Sequence, residues 1–249
     1  MTLKGSYMFL GLGLTLSGVL LTLVSYIIIG SVPLTALGIS AIILGAVASA
    51  LGREQPKIPP ELSAILLRSG LENTSAIIEE LGLRSKAIYL PSSMTDGRQV
   101  ALIPLHLNPE PPRLENHLLR RVIVKYGQNP RDFGLLVTTP GSHVAEMLEP
   151  KPGPTLGELE AALSSILTGI TGLADSVRVA INGDKVAVEA VNPHFKQEDF
   201  WVYEVLGSPL ASVVASITAE VLERPVMITA ERHGKGKSLI ELDVLGEKA

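Results

Sequence analysis

From Met1 to Gly52 this chain carries one charged side chain, Lys4, and that stretch constrains the fold more than anything else in its 249 residues. Tyr7 to Ile29 and Pro33 to Leu51 are uncharged runs of 23 and 19 residues. At about 1.5 Å per helical residue each reaches across a hydrocarbon core of roughly 30 Å. Backbone amides in lipid must bond within their own segment, so both runs are expected as full helices. The link Gly30-Ser31-Val32-Pro33 is short enough to force an antiparallel hairpin. A cleaved secretory signal is the rival reading, with Ala48-Ser49-Ala50 as its small-residue site. However, the apolar region before that site is far longer than the roughly 7–15 residues of a signal core.

Small residues recur every seventh position in both runs, at Gly11, Gly18 and Ser25 and at Gly38, Gly45 and Gly52, with Ala41 and Ala48 on the same step. Such a stripe lets helix backbones approach closely in lipid. It is expected to be a packing seam, either within one hairpin or between neighbouring chains. Lys4 precedes the hairpin and Arg53 and Lys57 follow it, so the positive-inside tendency puts both ends in the cytoplasm. The sequon Asn73-Thr74-Ser75 would suit the opposite side.

Beyond Gly52 the composition is that of a folded, water-exposed domain: 20 basic and 25 acidic residues leave a net charge of −5. The acidic balance speaks against nucleic acid as a partner. The chain has no cysteine, which removes disulfides, thiolate metal sites and thiol nucleophiles. The expected organisation is a transmembrane hairpin over 1–52, a Pro-rich connector over 53–60 and an α+β domain over 61–249, with a sub-boundary near 150–154.

Within that domain Glu61 to Gly82 reads as a helix broken near Gly70. Strands are expected at 87–90, 99–105, 121–126 and 133–138, then a short helix from Ser142 to Leu148. Thr155, with Glu158 three residues on, caps a helix to Gly172. A hairpin follows across Asn182-Gly183, the strongest such signal in the chain. Ser208 caps a helix to Glu223, and a last hairpin joins 226–231 to 238–244. Strands in adjacent pairs predict antiparallel sheet. A helix followed by paired strands in each half hints at an internal duplication.

Chemical motifs are few. Gly236-Lys237-Ser238 matches the end of a phosphate loop, but Glu231 stands where its leading glycine belongs. The residues after Ser238 alternate like a strand, where that motif must open a helix. His106, His117, His143, His194 and His233 are scattered, and His143 with Glu146 and His194 with Glu198 lack a third ligand nearby in sequence. Ser92, Ser93, Ser142 and Ser208 have no hydrolase elbow around them. No catalytic, cofactor-binding or metal-binding residue is assigned, and no cofactor is expected. Phe200, Trp201 and Tyr203 form the densest aromatic cluster after the hairpin, read as a core plug in preference to a partner surface or a membrane contact.

The uncharged segments, Ile77-Ile78-Glu79-Glu80-Leu81-Gly82-Leu83 running into Ala87-Ile88-Tyr89-Leu90-Pro91, Gly134 to Gly141, Gly207 to Ser212 and Glu223 to Val226 together resemble an uncharacterised archaeal membrane-protein family known chiefly from halophilic archaea. The resemblance covers nearly the whole chain and implies two transmembrane helices followed by an α+β domain. It brings no assigned activity or site residues. The chain lacks the highly acidic surface of halophilic members. Its last 40 residues are also similar to the C-terminal part of the 4-vinyl-reductase ligand-binding domain, without the cysteines that often end it.

Three functions are open at this level. The leading one is a membrane-anchored, non-enzymatic module binding a partner protein or small ligand at the cytoplasmic face. The others are an enzyme of lipid or peptide chemistry and a small subunit of a larger membrane complex or homo-oligomer.

Overall fold

The computed structural model describes residues 3–54, 60–95, 97–106, 121–127, 129–148, 152–194 and 200–246. Two compact units, Met1–Ser69 and Gly70–Ala249, are treated separately.

In the first unit, α1 (Leu3–Val24) continues into one wider π-helical turn, Ser25–Ile29, and ends on Gly30 at φ +67°. A left-handed residue there costs glycine nothing. The chain returns in α2 (Val32–Glu54), with Pro33 in its first turn, where the missing N–H is tolerated. The stretches Met8–Ile29 and Val32–Leu51 are long and apolar enough to cross a membrane, and only 11% of each apolar window is buried by protein.

α3 (Pro60–Glu80) runs through Gly70 without a break, contrary to the sequence expectation. A glycine inside a helix costs only about 1 kcal/mol, and Thr74 ties its hydroxyl to the Gly70 carbonyl at 2.9 Å. Asn73 therefore lies within a helix.

The second unit is α+β. Its strands are β1 (Ile88–Leu90), β2 (Val100–Pro104), β3 (Ile123–Lys125), β4 (Phe133–Val137), β5 (Ser176–Asn182), β6 (Lys185–Val191), β7 (Val226–Gly234) and β8 (Lys237–Val244). They form one sheet in the order β3-β4-β2-β1-β7-β8-β6-β5, with antiparallel pairing throughout. Both sides of residues 150–154 thus share one sheet. The connectivity does not repeat: the earlier hairpin of the first half, β1–β2, is central, whereas in the second half the later one, β7–β8, is central. That order gives the suspected duplication no support.

The helices of this unit are α4 (Pro140–Ala145), α5 (Leu156–Ser164), which continues as a π-helical stretch to Ile170, α6 (Val202–Leu206) and α7 (Pro209–Leu222). Thr155 caps α5 as the sequence predicts, its Oγ1 accepting from Glu158 N at 3.3 Å. The main core joins α5 and α7 to one sheet face through Leu163, Leu167, Ile217, Val188, Ile240 and Leu242. A smaller core of Ile88, Leu90, Leu102, Val124 and Tyr126 lies in the β1–β4 half.

Candidate functional site

α7 organises the chemistry of the second unit. Its sequence is small and apolar almost throughout, and twelve of its fourteen residues are buried. The stretch Val202–Leu222 is apolar enough to cross a membrane, but 83% of it is covered by protein. Ser208, Ser212, Ser216 and Glu220 follow each other at four-residue steps and so share one helix face. α4 comes close enough along it that a Cβ on Gly141 would fall 2.7 Å from the Ser212 carbonyl carbon. Gly141 N donates to Ser212 Oγ at 3.3 Å, while Ser216 Oγ finds no partner. At the far end Glu220 accepts from Ser92 N (2.8 Å) and Ser92 Oγ (2.5 Å).

At the N-terminus of α7, Ser208 caps the helix by accepting from Ala211 N at 3.1 Å. Ser208 N and Oγ in turn donate to the Glu231 carboxylate at 3.1 and 2.5 Å. A carboxylate suits this position because the first N–H groups of a helix carry partial positive charge. Glu231 reaches it through a bulge. β7 and β8 shift register between Ile228 and Ala230, so buried Val226 and Ile228 pair with Val244 and Leu242 before it, and Glu231 and His233 pair with the buried Ile240 and Ser238 after it. A bulge re-aims a strand's side chains in this way.

The β7–β8 turn then sets Ser238 opposite His233. Ser238 Oγ lies 2.8 Å from His233 Nδ1, and His233 Nε2 lies 3.2 Å from Glu231 Oε1. This has the order of a nucleophile, base and orienting carboxylate, but Ser238 is only 1% exposed. A substrate has no approach to its hydroxyl in this conformation. Tyr89 lies in the same region, donating to the Leu206 carbonyl, and its phenol pKa is raised by burial above all, with the Glu231 charge adding to the shift.

The C-terminal end of α7 opens onto a cavity of about 560 Å³. Its walls come from Met94, Ile181, Val186, Leu222 and Val244, with Arg224 the only cation among the described lining residues. Glu223 turns the chain out of the helix at φ +51°, placing Arg224 beside the β5–β6 turn. The Arg224 side chain is 17% exposed; Nη1 donates to Asp184 Oδ1 at 3.0 Å, Nη2 to the Gly246 carbonyl, and Nε has no partner.

A family model described as Domain of unknown function (DUF7982) matches residues 2–243. This chain belongs to that family. No curated protein and no solved structure is similar enough to match it.

The seven-residue stripe of this DUF7982 chain faces inward across its hairpin. Gly11, Gly18, Ser25, Gly38 and Gly45 are buried. A Cβ on Gly18 would lie 2.8 Å from the Gly38 carbonyl oxygen, and one on Gly45 2.8 Å from that of Gly11. Thr15 and Thr22 bond the carbonyls of Gly11 and Gly18 at 2.8 Å. The packing around Gly52 lies outside the described residues, as do the connector at 55–59, His117 and Glu198.

In the aromatic cluster, Phe200 and Tyr203 pack edge to face at 5.6 Å against the main core. Trp201 is 37% exposed. The cluster opens α6, a helix the sequence reading did not foresee. Among the histidines, His143 stands 3.8 Å from Glu146, and His194 stands 3.1 Å from Asp175. Among the described residues no three His, Asp or Glu side chains gather as a metal site. The phosphate-loop look-alike is a tight hairpin turn: Gly234 pairs with Lys237, Gly236 sits at φ +77°, and β8 follows directly. Lys237 reaches Glu189 at 2.7 Å.

The Glu231–His233–Ser238 arrangement was missed in sequence. Its signal is the Glu-x-His spacing on one strand, with a serine across the hairpin turn. Reading it needs the register that pairs His233 with Ser238, which residue types alone do not announce.

Proposed function

We propose that this family member is a membrane-anchored, non-enzymatic module that holds a small ligand in the cavity at the C-terminal end of α7. The observation that carries this reading is the cavity itself, of a size typical for small-molecule sites at roughly 300–1,000 Å³ and apolar but for a few polar groups. It accompanies an N-terminus with two apolar spans. The positive-inside tendency of Lys4, Arg53 and Lys57 puts the second unit on the cytoplasmic side. The lipid bilayer is one partner in this reading; a protein partner or a second copy on the exposed Trp201 edge is a further one. The resemblance to an archaeal family is the reason to seek the ligand in an archaeal setting.

Purification in mild detergent, followed by native mass spectrometry, tests the proposal. A small-molecule adduct is expected on the wild-type chain and none on Met94→Trp, which fills the cavity. A bare chain that co-purifies with a stoichiometric protein would replace the ligand by a partner. The enzyme reading has one observation in its favour, the Ser238–His233–Glu231 geometry. Labelling of Ser238 by a fluorophosphonate would favour it over the binding module.

A further inference from the structure

The ligand's chemical class can be read from what Arg224 leaves undone, an inference that rests on the cavity being a binding site. A guanidinium carries five N–H donors in a planar fork. Arg224 spends one on the Asp184 carboxylate, whose side chain is 65% exposed, and one on the Gly246 carbonyl, and its own side chain is 17% exposed. The cation is therefore mostly withdrawn from water, yet its counter-ion is a single-point contact held from the solvent side. A single-point pair with a solvent-exposed carboxylate holds a guanidinium only weakly. A two-point carboxylate contact is shorter, stronger and geometrically matched to the guanidinium.

The surroundings limit the charge the ligand carries. The cavity lies at the C-terminal end of α7, where the helix dipole is negative, and Glu223 lines it as well. One negative charge matches Arg224, the one cation among the described lining residues; a second meets repulsion from Glu223 and the helix end. Met94, Ile181, Val186, Leu222 and Val244 offer no hydrogen bond from their side chains, so the rest of the ligand is apolar.

We propose that this cavity binds a small amphipathic monocarboxylate. Its carboxylate displaces Asp184 from Arg224 and takes Nη1 with the remaining hydrogen of Nη2, and its apolar body fills the space toward Met94 and Val186. Asp184 acts as an internal stand-in for the ligand, keeping the cation paired while the cavity is empty.

The experiment uses the full chain in lipid nanodiscs, titrated calorimetrically with octanoate, octanol and octyl phosphate against empty discs. Saturable octanoate binding is expected, with octanol and octyl phosphate each weaker by about tenfold or more. Arg224→Gln should erase the preference for octanoate over octanol. Asp184→Asn removes the internal competitor while keeping its shape, so octanoate should bind several-fold tighter and octanol unchanged. This variant keeps the proposal testable if Arg224→Gln fails to fold. Equal binding of octanol and octanoate, tighter binding of octyl phosphate, or an unchanged Asp184→Asn affinity overturns the carboxylate assignment and leaves the cavity reading standing. No saturable heat from any of the three overturns both.

Discussion

Tyr89 shows how much a single buried polar group does in this interior. Its hydroxyl donates to the Leu206 carbonyl, and its ring is fully buried between β1 and the α6–α7 corner. Burial raises its folded-state pKa above the ordinary value of about 10. The stabilisation linked to keeping the phenol neutral is therefore complete below pH 10 and is lost as pH climbs through the raised value. Wild-type stability is expected to fall steeply above pH 10. Tyr89→Phe should cost about 1–3 kcal/mol at neutral pH, because the Leu206 carbonyl is left without its donor. Its alkaline limb should be flatter, as denaturant unfolding at a series of pH values would show. Gly141 poses the opposite problem, one of space. The Cβ of Gly141→Ala would meet the backbone of α7, so overpacking should lower stability by about 1–3 kcal/mol. An unchanged melting temperature would mean that α4 moves aside freely.

Among the elements, the antiparallel hairpin of α1 and α2 rests on close backbone approach, and its glycines are not equivalent. Gly18 would carry a Cβ into the Gly38 carbonyl, whereas Gly13 has nothing within 4 Å. Gly18→Val should therefore lower the resistance of the detergent-solubilised hairpin to SDS, and Gly13→Val should not. Equal sensitivity of the two would show that helix propensity, not packing, sets the effect. Elements with a strong local signal were legible in the sequence: the apolar spans, the Thr155 and Ser208 caps, and the strands flanking Gly183. What escaped depends on neighbours. Gly70 resembles a helix breaker, but its local cost is small beside that of ending the helix. α6 is too short for a periodic signal and exists because Val202, Val205 and Leu206 are buried. The β7 bulge follows from fitting Glu231 to the end of α7, a long-range demand. The cavity was illegible because its walls come from five separate chain segments.

At the scale of the whole chain, three stretches among the described residues are apolar enough to span a membrane, and two of them leave their side chains uncovered. Val202–Leu222 has the composition of a span because its two helices, α6 and α7, pack into the main core, which covers 83% of the stretch. Hydropathy registers only the removal of apolar surface from water, which lipid and protein achieve alike. The two N-terminal stretches should therefore account for all membrane retention. Full-length protein should stay in the pellet after alkaline carbonate extraction, and protein lacking residues 1–69 should be released and unfold cooperatively on heating. The position of the cut matters. Leu62, Ile65, Leu66 and Leu67 remain exposed at the start of α3, whereas Leu71 and Ile78 further along it belong to the core of the second unit. Protein cut after residue 54 keeps that uncovered apolar turn and should self-associate more than protein cut after residue 69, as sedimentation velocity would register. If the shorter protein still pellets with membranes after carbonate, Val202–Leu222 is a third span and the buried position of α7 described above is wrong.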